Sequence, residues 1–124
     1  MNSFFNQSRS SKLIQNLHLK TTSNELAWYP EQAARVLFSN TDALIPSCYT
    51  TMLNNKDKAY LYAIRYKRYD GELEFFYPVE SYQVSIIDKN IDMILYQSDY
   101  DEPGLFELFH IISAKYSGLE SYFN

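Results

Sequence analysis

Four strand-like runs follow one another between Ala59 and Ser98, and no other stretch of the chain restricts the fold so strongly. They read AYLYAIRYKR, ELEFFY, YQVSIID and IDMILYQS, rich in the β-branched and aromatic residues that suit a pleated surface. Asp70-Gly71 separates the first two and suits a two-residue type I′ turn, whose central positions both need positive φ. That turn pairs Tyr69 with Glu72, Arg68 with Leu73, Lys67 with Glu74, Tyr66 with Phe75 and Ile64 with Tyr77. One face then carries Tyr62, Ile64, Tyr66, Leu73, Phe75 and Tyr77. Pro78 would fall opposite Ala63 and has no N–H to donate, so pairing is expected to stop or bulge near Tyr77. Val84 and Ile86 share a face with Met93 and Leu95 if the next loop is even, most simply Lys89-Asn90.

Helical patterns flank the strands. Ser10 or Ser11 caps a short helix through Leu19, with Leu13, Ile14 and Leu17 on one side, and residues 1–8 are expected to be poorly ordered. Thr21-Thr22-Ser23-Asn24 breaks the chain. Pro30 and Glu31 then open a second helix, EQAARVLF, with Trp28 anchored beneath its start. Ser47–Leu53 favours a strand through Cys, Tyr and two Thr, a short helix from Pro46-Ser47 being the alternative. At the C-terminal end Asp101 caps a helix whose first turn holds Glu102 and Pro103. Its stripe is Leu105, Phe109, Ile112, Tyr116, Leu119 and Phe123, with Gly118 as a candidate stop. The expected fold is therefore α+β: an antiparallel meander of four or five strands packed by a C-terminal helix, with two short N-terminal helices. At 124 residues it is expected to form a single domain, 1–124.

Charge is divided unevenly along the chain. Residues 1–68 hold nine Lys/Arg against four Asp/Glu, or +5; residues 69–124 hold two against eleven, or −9. The acidic half argues against nucleic acid as its partner and suits a basic protein. Two tyrosines cluster there with carboxylates, so Asp88, Asp92, Tyr96, Asp99, Tyr100, Asp101 and Glu102 are the candidate partner-binding residues.

Catalytic and metal chemistry find no signature. The three glycines make no phosphate loop, His18 and His110 stand alone on expected helices, and no second cysteine accompanies Cys48. No metal or cofactor is expected. The N-terminus has no apolar signal core and no run is long enough to span a membrane, so the expected location is the cytoplasm. These features point to a non-enzymatic binding module of the inhibitor or immunity type, neutralising a basic partner such as a bacterial toxin nuclease. Two alternatives share the profile: a secretion-chaperone-like protein, and a ligand-binding or enzymatic domain with a pocket lined by Tyr62, Tyr66, Tyr77 and His110.

Overall fold

The computed structural model describes residues 2–39 and 41–116, with side chains from Arg9 onward. Helix α1 (Asn2–Thr22) leads into β1 (Tyr29–Pro30), a 3-10 turn at Arg35–Leu37, β2 (Leu44–Met52), β3 (Asp57–Asp70), β4 (Phe75–Asp88), β5 (Met93–Gln97) and α2 (Leu105–Tyr116). The five strands form one antiparallel meander in the order β1-β2-β3-β4-β5. The α+β class is as the sequence implied, and the strand expected at 47–53 is present as β2, which starts earlier at Leu44 and ends at Met52.

The meander has two covered faces. On the helical face, Ala59, Leu61, Ala63 and Val84 meet Ile14 and Leu17 of α1 and Leu105, Leu108, Phe109 and Ile112 of α2. On the other, Cys48, Tyr60, Tyr62, Ile64 and Ile87 lie beneath Ala33, Ala34, Leu37 and Ala43, a strap of chain between β1 and β2, with Ile45 at the start of β2 beside them. Truncating a fully buried side chain such as Leu108 would cost about 2–5 kcal/mol, through lost burial and the cavity left behind.

Helix α1 overruns both of its expected ends: it runs from Asn2 to Thr22, so Ser10 and Ser11 lie inside it and neither caps it, and its buried stripe is partly polar. Ser10, Ile14, Leu17 and Thr21 recur at helical spacing and are all buried. Thr21 Oγ1 accepts the Trp28 indole N–H at 2.8 Å, and Ser10 and Tyr96 hydrogen-bond through their hydroxyls. The helix ends where Asn24 turns left-handed, with φ 65°. The side chains of residues 1–8, expected to be poorly ordered, lie outside the described residues.

The expected second N-terminal helix is absent. Glu31 N–H donates to the Cys48 carbonyl, and the Glu31 carboxylate accepts from Thr50 and Lys58. This edge pairing holds the chain extended, and the alanines that favoured a helix lie over the sheet instead. Tertiary contacts override propensity here, leaving one 3-10 turn.

The two loops expected to hold two residues, between β3 and β4 and between β4 and β5, hold four each. Asp70 pairs with Phe75, because Asp70 Oδ1 accepts from the Glu72 and Leu73 N–H groups and opens an Asx turn. Glu74, not Gly71, takes the left-handed position. Every expected pair is displaced by four: Tyr66 faces Val79 and Ile64 faces Ser81. An even shift preserves the faces, so Tyr66 and Phe75 still share one. The Lys67–Glu74 pair gives way to Arg65–Glu80, with Nε and Oε2 2.7 Å apart. The second loop spans Lys89–Asp92, and a bulge between Ile86 and Ile87 sets Tyr96 opposite Ile86.

Pro78 interrupts nothing. It pairs with Lys67 in an unbroken ladder. Val84 and Tyr82 spend their N–H and C=O groups on the side away from β3, where Ser98 and Asp101 meet them. Even-numbered positions of β4 therefore point outward, and Pro78 faces an edge that needs no donor. The same clasp removes the expected cap of α2. Asp101 Oδ1 accepts the Tyr82 N–H at 2.9 Å, while α2 begins after Gly104. Gly104 has φ 93°, and a Cβ there would stand 2.9 Å from Ile14 Cγ2, so only glycine fits. Within the expected stripe Leu105, Phe109 and Ile112 are buried, and Tyr116 donates its hydroxyl to the Trp28 carbonyl. Gly118, Leu119 and Phe123 lie outside the described residues.

Candidate functional site

The meander leaves one part of itself uncovered. Strands β3 and β4 pair over fourteen residues each, but β2 reaches only to Leu44, opposite Arg65. On the other side, Asp101 is the last residue to bond the β4 edge, at Tyr82. Beyond these points the hairpin continues as a two-stranded arm, Tyr66–Asp70 with Phe75–Val79. Local β-propensity explains why it pairs; nothing among the described residues explains its surface. Tyr69, Leu73, Phe75 and Phe76 are 54%, 66%, 47% and 63% exposed.

Alternation sends the arm's rings to both faces. On the helical face Tyr69 lies against Phe76, with ring centroids 5.0 Å apart. On the strap face Phe75 neighbours Tyr77 at 6.1 Å, and Tyr66 stacks on Tyr100 at 5.3 Å and 28°. The Arg68 guanidinium sits 5.9 Å from the centre of the Tyr66 ring. Tyr100, Tyr66, Tyr77 and Phe75 thus form an aromatic stripe from the root of the arm to its tip. Burial, with Tyr66 beside it, raises the Tyr100 phenol further above its ordinary range and keeps the hydroxyl protonated.

The seven candidate residues are not brought together. Asp99, Tyr100, Asp101 and Glu102 stand at the root of the arm, after β5. Asp88 and Asp92 lie at the opposite end of β5, about 15 Å away along five residues of strand. Asp88 is buried there, with Oδ1 accepting from Asn90 N–H and Oδ2 3.7 Å from Lys56 Nζ. Asp92 occupies a left-handed turn position with φ 52°. Tyr96 shares the helical face with Ile86 and bonds Ser10, whereas Tyr100 stacks on the strap face. Asp101 is committed to the Tyr82 N–H. Of the seven, exposed Asp99 and Tyr100 and half-buried Glu102 stand beside the arm.

Nor do Tyr62, Tyr66, Tyr77 and His110 line one pocket. Tyr62 is fully buried, and its hydroxyl meets Gln83 Oε1 at 2.7 Å, Ser85 Oγ at 2.8 Å and Gln97 Nε2 at 3.3 Å. His110 belongs to the helical face, its ring 4.2 Å from Phe106 and 6.0 Å from Tyr82. A cleft of about 750 Å³ does open elsewhere, between Pro30–Ala33 and Leu44–Tyr49. Cys48 lines it, but burial, with Glu31 adding to it, pushes the thiol up to about 12. A thiol so high holds its proton at neutral pH and is a poor nucleophile. Among the described residues no group of three or more His, Cys, Asp or Glu could hold a metal ion, and no helix is long and apolar enough to cross a membrane.

The arm's significance escaped the sequence reading, although a signal was present. Phe75-Phe76-Tyr77 are consecutive apolar rings, so both faces of the hairpin are aromatic at once. A strand covered on one face alternates instead. No family model matches this chain, and no curated protein or solved structure does.

Proposed function

We propose that this protein is a non-enzymatic protein-binding module of the inhibitor or immunity type, acting in the cytoplasm on a basic partner. The strap-face stripe of Tyr100, Tyr66, Tyr77 and Phe75 is its docking surface, with Asp99 and Glu102 at the rim. The single observation that supports this reading is the arm itself. It carries exposed aromatic side chains beyond the point where any described element covers them, beside carboxylates of the acidic half. Aromatic anchors with a charged rim are the usual composition of a recognition patch. Carboxylates at the rim would govern mainly the rate of encounter, and a buried ring the lifetime of the complex.

The test takes a partner captured from the source cell and follows its binding at two salt concentrations. Asp99→Asn with Glu102→Gln should slow association and flatten its salt dependence; Asp101 is left alone because it holds Tyr82. Tyr100→Ala should shorten the lifetime of the complex by about 2 kcal/mol, roughly thirtyfold. Binding unmoved by both changes would exclude this surface.

A second reading, a small-ligand site, draws on the cleft beside Cys48, whose volume is within the range of ligand pockets. Ligand-induced NMR shifts confined to the residues lining that cleft, with the arm unaffected, would favour it.

A further inference from the structure

The two long edges of the arm are not equivalent. Even positions of β4 direct their backbone groups outward, so Pro78 stands at the centre of that edge and offers no donor. A proline there guards against strand addition. On β3 the alternation is reversed. Leu61 and Ala63 face β2, and in the unbroken ladder Lys67 and Tyr69 direct their N–H and C=O groups the same way. Among the described residues no strand reaches them, and neither is a proline.

We infer that this edge is an interface between two copies of the chain, joined antiparallel about a two-fold axis at Tyr69. The charge order of the arm selects the partner and the register. Arg65, Lys67 and Arg68 are followed by Asp70, Glu72 and Glu74, so a reversed copy lays the acidic stretch of one arm beside the basic stretch of the other. With Tyr69 opposite the partner copy's Tyr69, each Arg68 faces an Asp70, and beyond Asp70 each chain turns into its own loop. Centring the axis on Arg68 instead would oppose two arginines, which is unfavourable. The interface is isologous, as a two-fold requires.

The geometry also completes a pattern that one chain leaves half-made. Tyr69 and Phe76 are cross-strand neighbours on the helical face and both are exposed. Across the axis they become a row of four rings, Phe76, Tyr69, Tyr69 and Phe76. Two marginal two-stranded ribbons become one four-stranded sheet, the size at which a sheet is stable by itself. The strap-face stripe remains open on both sides of the join.

The experiment is sedimentation equilibrium of the full chain over two decades of concentration. The mass should rise from one chain to two. Tyr69→Pro and Phe76→Pro each remove an outward N–H and the same ring contact, but on opposite edges. Tyr69→Pro should stay monomeric where Phe76→Pro still dimerises. Arg68→Glu sets like charges against Asp70 twice and should weaken the dimer roughly tenfold or more, while Arg68→Lys should retain it. Arg68 is exposed, so this pair decides the matter even if a proline variant fails to fold. A chain monomeric throughout, equal loss in both proline variants, or indifference to Arg68→Glu would overturn the assignment.

Discussion

Residues 57–64 with 81–88, and residues 66–70 with 75–79, belong to the same pair of strands in one continuous register, yet they have opposite surroundings. In the first half Ala59 through Ile64 are all buried, with helices on one face and the strap on the other. In the second half the aromatic content is higher, and Tyr69, Phe75 and Phe76 stand exposed while Tyr66 and Tyr77 are half-buried. The boundary falls where Leu44 begins β2 and where Asp101 grips Tyr82. Covering chain, not strand sequence, decides which half is core. The two halves therefore answer to different demands: one holds the fold together, and the other is available for contact.

Substitutions can break that comparison. Leu108→Ala, on the buried side, should lower stability by about 2–5 kcal/mol, whereas Leu73→Ala at the arm's tip should fall within about 0.5 kcal/mol of the parent. Chemical denaturation measures both, and equal losses would mean that the arm is part of the core. Tyr62→Phe should cost about 1–3 kcal/mol, because it strips a buried hydroxyl from Gln83, Ser85 and Gln97. Asp101→Ala should cost about 1 kcal/mol by orphaning the Tyr82 N–H, while Asp101→Asn keeps an acceptor oxygen and should cost less. Amide exchange at Tyr82 would report the loss directly.

Acid should separate the halves with a smaller effect. The Asp57 carboxyl is held below its ordinary range by the Asn54 side-chain amide, with Lys56 assisting. For Glu31, burial pulls upward, but hydrogen bonds from Lys58 and Thr50 outweigh it and the value falls. Both are depressed in the folded state, so their contribution is present above the unfolded values of about 4 and is lost as pH falls through the folded ones. Melting temperature should hold steady down to about pH 5 and then decline, and Asp57→Asn with Glu31→Gln should flatten that decline. Neutral substitutions in the arm should leave the profile unchanged.

The strands were readable because their β-branched and aromatic runs are bounded by turn residues. The loop lengths were not, since Asp70 captures two backbone N–H groups and replaces a tight turn with a longer one. The end of α1 was hidden because Ser10 and Thr21, both hydroxyl residues, occupy its buried stripe. EQAARVLF carries helix-forming residues, but a strand edge claims the chain at Glu31. At the site, Asp99–Glu102 stood out as a charge cluster. The sequence sets Tyr66, Phe75 and Tyr77 on one face with Tyr62 and Ile64, but a pattern of alternation cannot say how far along a hairpin its cover extends.

The most direct test of the division is to remove the arm and measure both properties in one protein. Tyr66 and Val79 exchange ladder hydrogen bonds, so joining them through Asn-Gly closes the shortened hairpin with a turn suited to that geometry. This chain should keep the parent's melting temperature within a few degrees and fail to bind the captured partner. A melt that collapses as it does for Leu108→Ala, or binding that survives the deletion, would contradict the account.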